Sequence, residues 1–145
     1  MPSLLPDEWF TEICSQGGSA FSLKLKAQRL HHEKTALQTI DIYDTDVYGK
    51  LMVIDGCTML TGLDNFIYHE MMAHVPLFTH PEPKKVVIIG GGDCGTLREV
   101  LKHPGLTHVW QIEIDERVTR LSKTYFPELC FWMGLNGFLT RLLAQ

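Results

Sequence analysis

"VVIIGGGDCGTLREV", Val86 to Val100, decides the fold of this 145-residue chain. A β-branched run enters a glycine cluster and leaves through a helical pattern. The strand "KVVIIG" is continuously apolar, so it is expected to be buried on both faces, as parallel strands are. "TLREVLKH" carries Leu97 and Leu101 four apart on a helix that Pro104-Gly105 stops. "HVWQIEID" then predicts a second strand, and "ERVTRLSKTYF" a second helix through Val118, Leu121 and Tyr125. Strand, glycine turn, helix and strand within about thirty residues make a βαβ unit.

Gly90, Gly92 and Gly95 fit G-x-G-x-x-G, and Glu113 follows about twenty residues on, at the end of the second strand. A carboxylate there accepts two hydrogen bonds from a ribose diol, which marks a nucleoside site. Asp93 is the unexpected member of the turn. In a dinucleotide site the loop amides and the helix start receive a pyrophosphate. An acid beside it would set like charges together, at a cost of about a kcal/mol or more. A carboxylate at this turn suits a cation: a nucleoside with a sulfonium or an amine. Asp93 also reads as a cap whose oxygen bonds the amides near Gly95 and Thr96, and one carboxylate can do both.

Upstream the pattern changes to period two. Phe21, Leu23 and Leu25 alternate with Ser22, Lys24 and Lys26. "TALQTIDIYD" predicts a strand with Ala36, Gln38, Ile40 and Ile42 on one side, and "KLMVID" is a third run. Tyr48-Gly49 and Asp55-Gly56 mark turns. The expected product is an antiparallel sheet over about residues 20–60. Asp64 is then a candidate cap for a helix with Ile67, Met71, Val75 and Phe78 along one stripe, ended or kinked by Pro76. Pro81 and Pro83 form a stiff link, the expected domain boundary.

The chain carries 13 Lys+Arg against 17 Asp+Glu, so no basic surface argues for nucleic acid. No run of 18 or more apolar residues argues for a membrane span, and the acidic start "MPSLLPDEWF" is unlike a signal peptide. Cys14, Cys57, Cys94 and Cys130 form no CxxC pair and no zinc spacing, which suits free thiols in the cytoplasm. Cys94 reads as a small residue that fits its turn. In "HEMMAH" the histidines His69 and His74 are five apart, roughly 140° around a helix, so they do not share a metal. The other histidines carry no pattern. Met52, Met59, Met71 and Met72 read as core filling.

"GKLMVIDG", "DNFIYHEMMAHVPLFTHPEPKKVVIIGGGDCGTLREVLKHPG" and "IEIDERVTRLSKTYFPEL" together resemble the polyamine aminopropyltransferases, specifically bacterial spermidine synthases. The resemblance runs from about Trp9 to Cys130. It implies an α/β fold: an N-terminal antiparallel β-rich domain with one helix, residues 1–80, and the first βαβ of a Rossmann-like, methyltransferase-type doubly wound domain, 81–130; an atypical apolar tail, 131–145, falls outside the resemblance. It further implies that Gln38 contacts the adenosyl thioether ligand and that Glu113 holds the ribose hydroxyls. Asp93 then lies near the amine and the aminopropyl chain, with Tyr68 and His69 lining the polyamine end. The implied reaction moves an aminopropyl group from decarboxylated S-adenosylmethionine, a co-substrate, to putrescine, without metal or cofactor. The implied assembly is a homo-oligomer through the N-terminal region.

The sequence departs from the family at Met59, often glutamine in relatives, at "TGLDNF", and at Cys94, commonly glycine. The largest departure is "FWMGLNGFLTRLLAQ" after "YFPELC", expected as a short amphipathic helix broken by Gly134 and Gly137. The family's catalytic aspartate belongs to a segment beyond this point, so no residue of the chain is assigned as base. Impaired catalysis is the expectation, along with an open sheet edge beside two parallel strands. Two rival readings remain: a non-catalytic module joining a full-length homologue, and an NAD-binding fragment, which Asp93 disfavours.

Overall fold

The computed structural model describes residues 7–130 and the backbone of residues 141–143. The chain divides into two compact units between Asp64 and Asn65. The sequence reading placed this boundary at Pro81. The helix between the two positions packs into the second unit, through Ala73 and Leu77.

The first unit is all antiparallel. Strands β1 (Trp9–Cys14) and β2 (Ser19–Lys24) form a hairpin. Strands β3 (His31–Lys34), β4 (Thr39–Thr45), β5 (Gly49–Ile54) and β6 (Cys57–Thr61) form a four-stranded meander. The expected single sheet from residue 20 is therefore two pairings that begin at Trp9, linked by a bridge between Leu25 and Thr45. Asp55 and Gly56, both at positive φ, are the two-residue turn between β5 and β6. That backbone matches the right-handed twist of the flanking strands, and Asp-Gly adopts it readily. Leu23, Leu51 and Val53 form one core cluster with Phe10, Tyr43 and Tyr48 packed against them, and Ile40, Ile42, Met52 and Leu60 are also buried. Phe21 shares the alternation of Leu23 yet is exposed.

The second unit begins with α1 (Asn65–Thr79), followed by β7 (Lys85–Ile89), α2 (Gly95–Val100), β8 (His108–Ile112), α3 (Glu116–Tyr125) and the short α4 (Pro127–Cys130). Strands β7 and β8 pair in parallel, Lys85 opposite His108 through Ile89 opposite Ile112. This is the βαβ unit expected from the glycine turn, and the whole chain is α/β with a Rossmann-like second unit. A third strand, β9 (Arg141–Leu143), lies parallel on the other side of β8. The expected pair of parallel strands is thus a set of three, with β7 still at an edge among the described residues. Of the expected tail helix, residues 131–140 and 144–145 lie outside the described residues, and 141–143 are strand.

Burial in this unit departs from the sequence pattern in two places. The stripe Ile67, Met71, Val75 and Phe78 is exposed, and α1 buries Asn65, His69, Ala73 and Leu77. The face of α1 that carries His69 is buried where α2 opens on a glycine, whose bare Cα leaves room for the imidazole ring. Pro76 sits inside α1 and does not end it. Likewise β7 is covered on one face only. Val86 and Ile88 pack on the core of Leu97, Val100, Leu106 and Val109, while Ile89 is 86% exposed and Val87, Ile112 and Ile114 are exposed beside it. Of the four methionines read as core filling, Met52 is buried and Met59, Met71 and Met72 are exposed. Among the described residues, no helix is long and apolar enough to cross a membrane.

Candidate functional site

The turn between β7 and α2 is shaped by three consecutive demands. Gly90 and Gly91 take φ of +79° and +72°, where a side chain is strained. Cys94 takes +69° without being glycine, and its amide bonds the Gly91 carbonyl at 2.9 Å. Gln111 on β8, wholly buried, donates from Nε2 to the same carbonyl at 2.8 Å. The turn is thereby held to the neighbouring strand through side chain and backbone together.

The other two motif glycines make room for side chains. Glu113 is 7% exposed; its Oε2 accepts from the Gly92 amide at 2.8 Å and its Oε1 from the Asp115 amide at 3.0 Å. A Cβ on Gly92 would stand 2.6 Å from that Oε2 and 2.9 Å from Cγ. Gly92 is bare because the acid of the next strand occupies the space. Gly95 is bare because of His69: a Cβ there would fall well inside contact with ring atoms Cδ2, Nε2 and Cε1. The sequence reading assigned neither task to these glycines. No local signal links Gly95 to a histidine a whole helix away.

Asp93 caps the turn as expected, accepting from the Gly95 amide at 2.7 Å through Oδ1. Its side chain stays about one-fifth exposed. The same oxygen lies 3.6 Å from His69 Nε2. His69 is 2% exposed, with Nδ1 at 3.1 Å from Thr96 Oγ1 and Nε2 without a hydrogen-bond partner. Burial holds its pKa below the usual histidine value, the Asp93 and Glu99 carboxylates pulling upward and Arg98 downward. His69 is therefore neutral near pH 7. The Tyr68 ring meets His69 edge-on with centroids 5.4 Å apart, and Tyr68 itself is exposed.

Four of the five residues chosen from sequence thus lie in the second unit, where His69 adjoins Asp93 and Tyr68, and Glu113 adjoins the glycine turn. Gln38 lies in the first unit, in the turn before β4 rather than on a strand. Its amide bonds Thr35 Oγ1 at 3.1 Å, and its carbonyl accepts the Thr35 amide at 2.8 Å. The sequence reading missed Thr96 altogether. It also missed a charged network in which His74 bridges His103 (2.9 Å) and Glu99 (3.2 Å), with Arg98 and Lys102 on the same carboxylate. Among the described residues, no group of three or more His, Cys, Asp or Glu side chains could hold a metal ion.

The neutral state of His69 has a consequence for stability. A histidine whose folded pKa is depressed contributes fully above the unfolded value, about 6.5, and loses that contribution as the pH falls through the folded value. The urea midpoint should therefore drop more between pH 7.5 and 5.5 in the natural chain than in His69→Gln, which cannot titrate. Parallel pH profiles for the two would contradict a buried neutral ring.

The second unit is a Rossmann-like domain whose glycine turn carries two acids, one capping it and one reaching it from the next strand. Residues 65–136 match the spermine/spermidine synthase domain, and residues 8–62 match the spermidine synthase tetramerisation domain. The chain belongs to the spermine/spermidine synthase family. It is 65% identical over 125 residues to the polyamine aminopropyltransferase of Nitrosococcus oceani, covering 86% of this chain and 44% of that protein. For the polyamine aminopropyltransferase of Methylococcus capsulatus the identity is 64% over 123 residues, covering 85% and 43%. The crystal structure of spermidine synthase from Thermotoga maritima superposes with a TM-score of 0.86 at 35% identity, over 97% of this chain and 49% of that one. A spermidine synthase solved with the transition state analogue AdoDATO superposes equally, over 47% of its chain. This chain spans less than half the length of the curated relatives it matches.

Proposed function

We propose that the second unit binds the nucleoside of decarboxylated S-adenosylmethionine and serves aminopropyl transfer to putrescine, giving spermidine and methylthioadenosine. The observation that carries this reading is the pair of acids on one glycine turn. Each carboxylate oxygen of Glu113 accepts one backbone amide and retains a further lone pair for a ribose hydroxyl. Asp93 supplies a negative charge for the sulfonium and the amine, and a neutral His69 adds no opposing charge beside it. In the reaction the amine lone pair attacks the methylene next to the sulfonium. The carbon–sulfur bond breaks, its electrons neutralise the sulfur, and the new ammonium loses a proton. Alignment of two cations along one line is the protein's main contribution.

Tyr68 and His69 are assigned to the polyamine end. Gln38 is assigned to the thioether on the family resemblance alone, and no residue of this chain is assigned as base. The match of residues 8–62 supports self-association through the first unit. Four free cysteines agree with a cytoplasmic setting.

Calorimetry with methylthioadenosine and with NAD tests the reading. Methylthioadenosine should bind and NAD should not, because a diphosphate would meet Asp93. Binding of NAD in preference would replace this reading with a dinucleotide site.

A further inference from the structure

We propose that Thr96 is a positioning residue that, with Asp93, fixes His69 as the Nε2–H tautomer. The ring then turns its Nε2–H toward the Asp93 carboxylate, 3.6 Å away and beyond hydrogen-bond distance, and is not a proton acceptor there. A neutral imidazole has one donor nitrogen and one acceptor nitrogen, and each is set by what the other meets. Here Nδ1 meets the Thr96 hydroxyl at 3.1 Å, and Nε2 faces Asp93 Oδ1 at 3.6 Å.

Only two arrangements fill these positions. With the proton on Nδ1, the bare Nε2 would lie 3.6 Å from a carboxylate oxygen, on a ring that is 2% exposed. Two electron-rich atoms would then face each other where water cannot intervene. With the proton on Nε2, that repulsion becomes an attraction. The Thr96 hydroxyl, free to rotate, donates to Nδ1 and satisfies the buried lone pair. The ring occupies the space that a side chain on Gly95 would fill. The Gly95 amide meanwhile holds the other participant, Asp93, at 2.7 Å. One residue pair, Gly95-Thr96, therefore places both the carboxylate and the imidazole that faces it.

The meaning for catalysis rests on the proposed aminopropyl transfer. A donor at Nε2 steadies the carboxylate that faces the cation and removes His69 from the candidates for base. The tautomer itself is independent of that reading, and the test needs no ligand. Nitrogen-15 spectra of the imidazoles at pH 7.5, with His69→Gln to assign the resonance, should show a protonated Nε2 and an unprotonated, hydrogen-bonded Nδ1. In Thr96→Val, the Nδ1 signal should move downfield to the position of a bare imine nitrogen; in Thr96→Ser it should stay. A proton on Nδ1 in the natural chain would overturn the proposal. So would an Nδ1 signal unchanged by Thr96→Val. If the valine variant fails to fold, the natural chain and Thr96→Ser still decide the tautomer. Loss of methylthioadenosine binding with these spectra intact would strike only at the proposed function.

Discussion

Gly95→Ala should cost about 3 kcal/mol of unfolding free energy, the upper part of the range for overpacking a filled interior. The new methyl group would enter the space of the His69 ring, which is closed in by α1 on one side and the turn on the other. Either the ring leaves its rotamer or α1 lifts from α2, and the second choice uncovers Ala73 and Leu77. Urea unfolding of a double-mutant cycle with His69→Ala distinguishes this collision from a general intolerance of the turn. Removing the ring returns the room, so the double variant should be more stable than the sum of the two single costs predicts, by 1 kcal/mol or more, about the coupling expected of touching residues. Simple additivity would show that the ring is not what excludes a side chain at Gly95.

Glu113→Ala should weaken methylthioadenosine binding by about 100-fold or more. Two hydrogen bonds to a charged acceptor, at roughly 1.5–3 kcal/mol each, are lost together. The same change leaves the amides of Gly92 and Asp115 without their acceptor, at about 1–3 kcal/mol for each buried donor left unpaired. Calorimetry must therefore be run where circular dichroism shows the variant folded. Glu113→Gln separates the two effects. Its amide oxygen keeps one backbone bond and loses the charge, so stability should recover further than affinity does. Equal affinity of the natural and alanine chains would remove Glu113 from the binding site.

The acid pair and its turn were legible because their signals are local. A β-branched strand, glycines within six residues and a helical period lie side by side in the chain, and Glu113 is placed by the end of the next predicted strand. The Asp55-Gly56 hairpin was legible for the same reason, since the two φ angles it requires suit those residue types. The capping role of Asp93 also needed only its own two neighbours. Gln38 was misread where locality misled. Alternation with Ile40 and Ile42 suggested a strand, but Thr35 closes a turn on Gln38 and β4 begins one residue later.

The face that α1 buries shows the limit of such reasoning. Its apolar stripe, Ile67, Met71, Val75 and Phe78, is exposed, and the buried face is Asn65, His69, Ala73 and Leu77. Which side of a helix is covered depends on what its neighbours offer, and here the neighbour offers Gly95 to a histidine.

By itself, then, the sequence determined the βαβ unit, the glycine turn and the two acids on it, because propensity and periodicity act over a few residues. Only the tertiary structure decided that Gly92 and Gly95 are bare for the sake of Glu113 and His69, that β7 is covered on one face, and that Thr96 meets the imidazole. Those outcomes are set by excluded volume between side chains distant in the chain, and a one-dimensional pattern carries no record of it.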